Sequence, residues 1–458
     1  MHHPLRFASL TTVALLLAAS LAGCSKPPAP PTGPNVLLIA VDTLRADKLG
    51  CYGSELGATP KIDTLAAEGV RFTEAYAHAP WTLASFASLF TSQSPPQHGA
   101  GGYLGQFSAL PDGARTVAEC FRDAGYATAA IVNVDFLTHA FGMDQGFEHF
   151  DHKTYQGNVE VRDAAETTDA AIQWLTQRPR RPFFLMVHYF DPHLVYNPPL
   201  EFRQKFADPR DRDNRDWVFG TEEQIIALRA AQRTPDTATV QRAEKLYNGE
   251  IAYTDQQVGR LLAALAADGL ADSTIVVFFA DHGEEFLDHG GFEHGHTLYN
   301  ELVHVPLLLR YPGHLAPGVV IGTVGLKDVA PTLCTLSHIP VDPAFCGQNL
   351  LDLIANPGLP GWPVLLEGNF WGPPYQGWLY DGYKLVVRPD GVKQLFNLRS
   401  DPHEHTDLAT TKADLCSKLL ADLKAARDLA ISHSTERSTP VQVPPEALER
   451  LRSLGYVK

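Results

Sequence analysis

Asp42 directly follows the apolar run NVLLIAV (35–41), and Asp281-His282 directly follows TIVVFFA (274–280). Brought to one rim of a fold, two carboxylates and an imidazole would repel and raise a pKa unless a divalent cation held them ionised. Oxygen-rich ligation with a single imidazole suits magnesium, manganese, calcium or zinc, and the residue types do not choose among them. Either aspartate alone reads as a helix cap after its strand. With the unit Asp281-His282-Gly283-Glu284 beside Asp42, the set reads as a metal site.

Thr82 is the fourth residue of interest. It follows Pro80-Trp81 and precedes Leu83, Phe86, Leu89 and Phe90, an apolar face at helical spacing. A threonine at a helix start is ordinarily an N-cap. The same hydroxyl also meets the positive end of the helix dipole, which favours an alkoxide and any anion bonded to it. A metal would complete its activation, because a free hydroxyl is protonated at neutral pH. Cap and nucleophile are both open at this point.

These residues need strands to deliver them. Further buried-strand runs are Ala127–Val132, Phe183–Tyr189 and Val305–Arg310, separated by amphipathic segments at Thr116–Ala124, Ala164–Gln177 and Val240–Ala267. Alternation of this kind predicts a doubly wound α/β fold with a mostly parallel sheet, whose ligands bind beyond the carboxyl ends of the strands. The polar residues there are Asp42, Asp191 and Asp281-His282. After about residue 365 the texture changes to short alternating runs, 377–380, 383–388 and 394–398, joined by Asp381-Gly382 and Asp390-Gly391 turn signals. This predicts a small antiparallel sheet, followed by helices near 413–431 and 445–454. The expected division is a leader (1–23), a Pro-rich tether (24–34), a catalytic α/β domain (35–364) and a C-terminal α+β subdomain (365–458).

The pieces PNVLLIAVDTLRADKLGCYG (34–53), TPKIDTLAAEGVRFTEAYA (59–77), PWTLASFASLFTSQSPPQHG (80–99), HYFDPHLVY (188–196), ADHGEEFLDHGGFEHGHTLYNELVHVPLLLRYPG (280–313) and LFNLRSDPHEHTDLA (395–409), in this order, resemble the sulfatase branch of the alkaline phosphatase superfamily. The resemblance implies an alkaline-phosphatase-like fold, with Asp42, Asp281 and His282 as metal ligands and Thr82 at the nucleophile position. It places Asp191 and His193 where relatives bind substrate or a second ion, and His294 where sulfatases carry a sulfate-contacting lysine. One ion is implied, and a second if Asp191 and His193, together with His294 or His296, supply ligands. His289 and His296 share the loop of His294, Arg45 and Asp47 suggest an ion pair in the first loop, and Glu284 and Glu285 read either as groups supporting the ligands or as solvated charges.

The departures are informative. Typical sulfatases oxidise a Cys or Ser in a C/S-x-P-x-R motif to formylglycine; here those positions are Thr82, Ala84 and Phe86, and the usual second aspartate is Thr43. Oxidising a threonine would give a ketone. The chain therefore looks more like threonine-using relatives that cleave phosphate mono- or diesters or phosphonate esters through Thr82, with His193 or His294 assisting the leaving group. Two alternatives are a sulfatase that works without formylglycine and a lipoprotein that binds a ligand without turning it over.

The N-terminus carries a charge-free apolar run, Leu10 to Leu21, ending in Leu21-Ala22-Gly23-Cys24. It reads as a bacterial lipoprotein signal with Cys24 acylated, which predicts a cell-envelope protein held on a membrane by lipid, periplasmic or outward-facing. No later run approaches the roughly 20 apolar residues of a membrane span. The net charge of -15 argues against nucleic acid or anionic lipid as the main partner; a small-molecule, glycan or lipid ester as substrate is what the resemblance implies. Cys51, Cys120, Cys334, Cys346 and Cys416 include no CxxC pair; Cys334 and Cys346 are the nearest in sequence for a disulfide.

Overall fold

The computed structural model describes residues 32–434, apart from 104–105, 154–160, 222–223, 226, 229–234 and 372, together with 440–441. The leader, Cys24, most of the tether and the expected helix at 445–454 lie outside the described residues.

The central sheet has eight strands: β1 (Asn35–Val41), β2 (Val70–Phe72), β3 (Ala127–Val132), β4 (His149–His152), β5 (Phe183–Tyr189), β6 (Thr274–Ala280), β7 (Leu307–Arg310) and β8 (Gly318–Val320). Their spatial order is β8-β2-β7-β6-β1-β5-β3-β4. Around β1 the pairing is parallel to both β5 and β6, while β7 is antiparallel to β6 and to β2. The fold is thus the expected alkaline-phosphatase-like sheet, mostly parallel, with β7 reversed. Strands β3, β5 and β6 are buried at every residue, which is why their sequences are predominantly apolar and not alternating.

Helices cover both faces. The ones needed below are α1 (Thr82–Thr91), α2 (Val117–Asp123), α3 (Ala164–Gln177), α4 (Thr237–Ala267), α5 (Val329–Leu336) and α6 (Ala413–Ser432). The start of α2 carries the reciprocal capping box Thr116/Glu119, and α4 is capped by Asp236, whose carboxylate accepts from Thr239 N–H at 3.0 Å. No helix among the described residues is long and apolar enough to cross a membrane. The five cysteines after Cys24 are free thiols. Cys346 is not joined to Cys334; its sulfur accepts from Gln97 Nε2 at 3.3 Å.

A second, antiparallel sheet holds β9 (Val364–Glu367), β10 (Gln376–Tyr380), β11 (Tyr383–Val387) and β12 (Lys393–Asn397) in sequential order. Asp381 and Gly382 both adopt positive φ, 51° and 76°, as the tight β10–β11 hairpin requires. Strand period two sorts its side chains to two faces. Leu365, Trp378, Leu385 and Leu395 pack on α6, whereas Leu366, Leu379, Val386 and Phe396 pack on Leu298, Leu302 and Val303 beside the central sheet.

The second face contains a fully buried ion pair. Lys384 Nζ lies 2.9 Å from Glu404 Oε1 and donates to Asn300 Oδ1 at 3.1 Å, while Glu404 Oε2 accepts from Asn300 N–H at 2.6 Å. Burial lowers the lysine and raises the glutamate from their ordinary ranges, each opposed by its partner's charge. Removing one member strands the other without solvent, so Lys384→Met is expected to lower stability by about 3–5 kcal/mol, and Lys384→Met/Glu404→Leu by clearly less than the sum of the two single changes. Urea unfolding of the four proteins checks this; a single variant within roughly 0.5 kcal/mol of the parent would contradict it.

Candidate active site

Parallel register builds the site. Val41 on β1 pairs with Ala280 on β6, and the next residues are Asp42 and Asp281. Neighbouring strands stand about 4.8 Å apart, so their first residues past the sheet are forced together. His282 follows at once, and one ligand atom from each of Asp42, Asp281 and His282 lies within 4.8 Å of the others. No other such group of three occurs among the described residues.

All four carboxylate oxygens of Asp42 and Asp281 are buried without a hydrogen-bond partner. Burial works against ionising Asp42, but His188, His193 and His282 hold it below the usual carboxylate range. Asp281 is pushed up to about 7, first by burial and then by the charge of Asp42. His282 donates Nδ1–H to Gly283 O at 3.0 Å, which fixes the tautomer and leaves the Nε2 lone pair for a cation. Orphaned anionic oxygens beside an oriented imidazole fit a divalent ion, whose charge would replace their mutual repulsion.

Thr82 is not the cap of its helix. The N-cap is Trp81, in extended conformation and without a side-chain cap bond, and Thr82 is the first helical residue. Its hydroxyl stands 3.4 Å from His282 Nε2 and is 2% exposed. The helix is locked to the ligand turn by Ser85 Oγ, which donates to Asp281 O at 2.6 Å. Phe86, at the arginine position of the sulfatase motif, is buried in ring contact with Phe90, His188 and Phe279.

Two more imidazoles complete the cluster. His193 donates Nδ1–H to Leu194 O at 2.9 Å, and His294 donates Nδ1–H to Glu284 Oε1 at 3.0 Å. The His294 ring lies 5.0 Å from that of His193 and 4.5 Å from that of His282. Burial pulls His193 down to about 4, with Asp42 opposing. Glu284 is raised to about 7 by burial, and its second oxygen accepts from Tyr196 OH at 2.9 Å. Asp191 is engaged elsewhere: its carboxylate accepts from Ala164 N–H, at the head of α3, at 2.6 Å, and it lies outside the cluster that could hold an ion.

His289 and His296 do not join the reactive group. His289 pairs with Glu301 at 2.7 Å and His296 with Glu285 at 2.7 Å. Arg45 does bind Asp47, at 2.8 Å, and also Asp288 at 2.8 Å, so its charge is spent on the wall of the site. One participant escaped the sequence reading, and a second was named there without a fixed role. His188, opposite Ala40 across β1 and β5, puts Nε2 3.2 Å from Asp42 Oδ2, and its only signal was a histidine inside an otherwise apolar strand. Glu284 backs His294, a role visible only once the 292–296 turn is folded over it.

The Sulfatase family model matches residues 34–339. An arylsulfatase of Clostridium perfringens is 27% identical and aligns over 83% of this chain and 91% of its own. A Δ4,5-hexuronate-2-O-sulfatase of Bacteroides thetaiotaomicron is 26% identical over 92% of this chain and 94% of its own. In fold, the crystal structure of a phosphonate monoester hydrolase of Agrobacterium radiobacter superposes with a TM-score of 0.69 at 22% identity, covering 87% of this chain and 96% of that one.

If the cluster holds a cation, the purified protein supplied with manganese or zinc should carry about one ion per chain by elemental analysis, and chelation should lower its melting temperature. Asp281→Asn is expected to lose the ion and its melting temperature to become indifferent to chelator. Parent stoichiometry in that variant would refute the assignment.

Proposed function

The chain belongs to the sulfatase family, and on that premise we propose that it is a metal-dependent hydrolase of phosphate mono- or diesters, or of phosphonate esters, with Thr82 as nucleophile. The observation that carries the proposal is the Thr82 hydroxyl, which caps nothing and stands 3.4 Å from His282 Nε2 beside the two buried carboxylates. A threonine cannot become formylglycine, and Phe86, packed in the core, replaces the arginine that would steady one.

A cation held by Asp42, Asp281 and His282 would supply Lewis acidity, lowering the hydroxyl pKa and drawing charge from the ester. Thr82 Oγ1, its proton having passed to solvent before the ester binds, attacks phosphorus as the alkoxide, and the bond to the leaving oxygen breaks as the new one forms. The first N–H groups of α1, which no side chain caps, receive the negative oxygens. His294, backed by the Glu284 carboxylate, is the better placed of the two histidines to protonate the leaving oxygen. His193, anchored on a peptide carbonyl, stays neutral and orients the ester. Water then attacks phosphorus and gives its proton to His294, and the Oγ1–P bond breaks, releasing the phosphate or phosphonate product and restoring the Thr82 alkoxide.

A second reading, hydrolysis of sulfate esters without formylglycine, is favoured by the names of the two relatives above. One preparation assayed on matched aryl phosphate, phosphonate and sulfate esters decides between them, since a preference for sulfate would reverse the ranking. We also propose that the protein is exported and lipid-anchored through Cys24, supported by Leu-Ala-Gly-Cys and the Pro-rich run behind it. Cys24→Ser should move it from the membrane to the soluble fraction; an unchanged partition would exclude the anchor.

Thr82→Ala is expected to reduce kcat by about 10^3-fold or more with bound metal retained, and Thr82→Ser to keep most of it. Turnover by the metal-loaded alanine variant at the parent rate would show that another group is the nucleophile.

A further inference from the structure

Helices α2 and α5 pack on each other, and both pack on α1, the helix that begins with Thr82. Each of the two brings one cysteine to the face they share. Cys120 of α2 is 4% exposed and Cys334 of α5 is 0% exposed, and the Cys334 thiol donates a hydrogen bond to the Cys120 sulfur. Arg115, directly before the α2 N-cap, ties the same two elements together from outside. It meets Asp123, the last residue of α2, at 2.7 Å and Asp342, past the end of α5, at 3.3 Å.

The two thiols are not equivalent. The hydrogen bond from Cys334, and then the charge of Arg115, hold Cys120 below the ordinary thiol value against the effect of burial. The same hydrogen bond, followed by burial, pushes Cys334 up. Cys120 is therefore the sulfur that ionises and attacks first, with Cys334 beside it to follow.

We propose that Cys120 and Cys334 are joined as a disulfide in the exported protein, linking α2 to α5. The oxidant is a molecule that itself carries a disulfide, a thiol-oxidising protein or glutathione disulfide. Cys120 gives up its proton and attacks one sulfur of that disulfide, expelling the other as a thiolate, which takes up the proton. Cys334 then gives up its proton and attacks Cys120 Sγ, and the second oxidant sulfur leaves and is protonated in turn. Two electrons have passed to the oxidant, and one disulfide has been exchanged for another. Because neither sulfur is open to a bulky oxidant in the folded chain, the exchange belongs to folding, before α2 closes on α5. The inference is independent of the reaction at Thr82 and takes from the export reading only an oxidising compartment.

The bond would brace two things at once. It links the helices on which α1 rests, and it secures the point where the chain enters the body: Tyr126, just beyond α2, and Ser337, at the end of α5, leave no room for a side chain on Gly33. Full-length protein exported to the periplasm of a bacterial host tests the proposal. Unfolded with N-ethylmaleimide, it should label two more thiols after reduction than before. Its unreduced tryptic digest should join Thr116–Arg122 to Asp328–Lys384, and should still do so in Cys346→Ser, which removes the other cysteine of the longer peptide. Reductant should lower the melting temperature of the parent by roughly 5 °C and leave that of Cys334→Ala unmoved. Equal labelling before and after reduction, or loss of the joined peptides in Cys346→Ser, would overturn the proposal.

Discussion

Everything at the site depends on two carboxylates being held side by side without water. Register does this: with Val41 opposite Ala280, there is no conformation of the sheet in which Asp42 and Asp281 are far apart. Their repulsion is a cost that folding must meet, and the fold meets it with apolar burial on both sides of β1, β5 and β6. A buried pair of this kind is stable only as part of something larger. A cation held between them would offset that charge.

Two of the positive-φ residues adjoin the same place. Thr43, next to Asp42, has φ 54°, a conformation that a β-branched residue adopts at a cost of roughly 1–3 kcal/mol. It is held by Tyr247, whose hydroxyl donates to Thr43 O at 2.8 Å and accepts from Arg45 N–H at 3.1 Å. Glu293, next to His294, has φ 71°. In both cases the strained residue is the neighbour of a chemical one, so the turn that aims the side chain is bent where a relaxed chain would run on.

Much of this was legible in the sequence, for identifiable reasons. Asn35–Val41, Ala127–Val132, Phe183–Tyr189 and Thr274–Ala280 are strands with the bounds their apolar runs suggest, because strands buried on both faces leave no polar residue to blur their ends. Edge strands were not legible: His149–His152 reads as polar, and Gly318–Val320 is short and half exposed. The reversed sense of β7 has no signature in Val305–Arg310, since a buried run looks the same in either direction. The Thr82 hydroxyl could not be assigned from local pattern, because cap and nucleophile differ by one residue of helix boundary. Asp191 has the composition and strand-end position of a ligand, and only the tertiary placement of α3 shows its carboxylate taken up by a backbone N–H.

The segment Gly368–Trp371, which follows β9, has a consequence for how the chamber comes to exist. The cluster and its nucleophile are supplied by residues 42 to 294, yet one wall arrives more than seventy residues later, on a sheet pinned by Lys384 and Glu404. Residues 42 to 294 contain every group able to react, and Gly368 and Phe370 join the turns at Trp81 and Gly295 from outside that span. Enclosure of the site is thus a contribution of the C-terminal sheet.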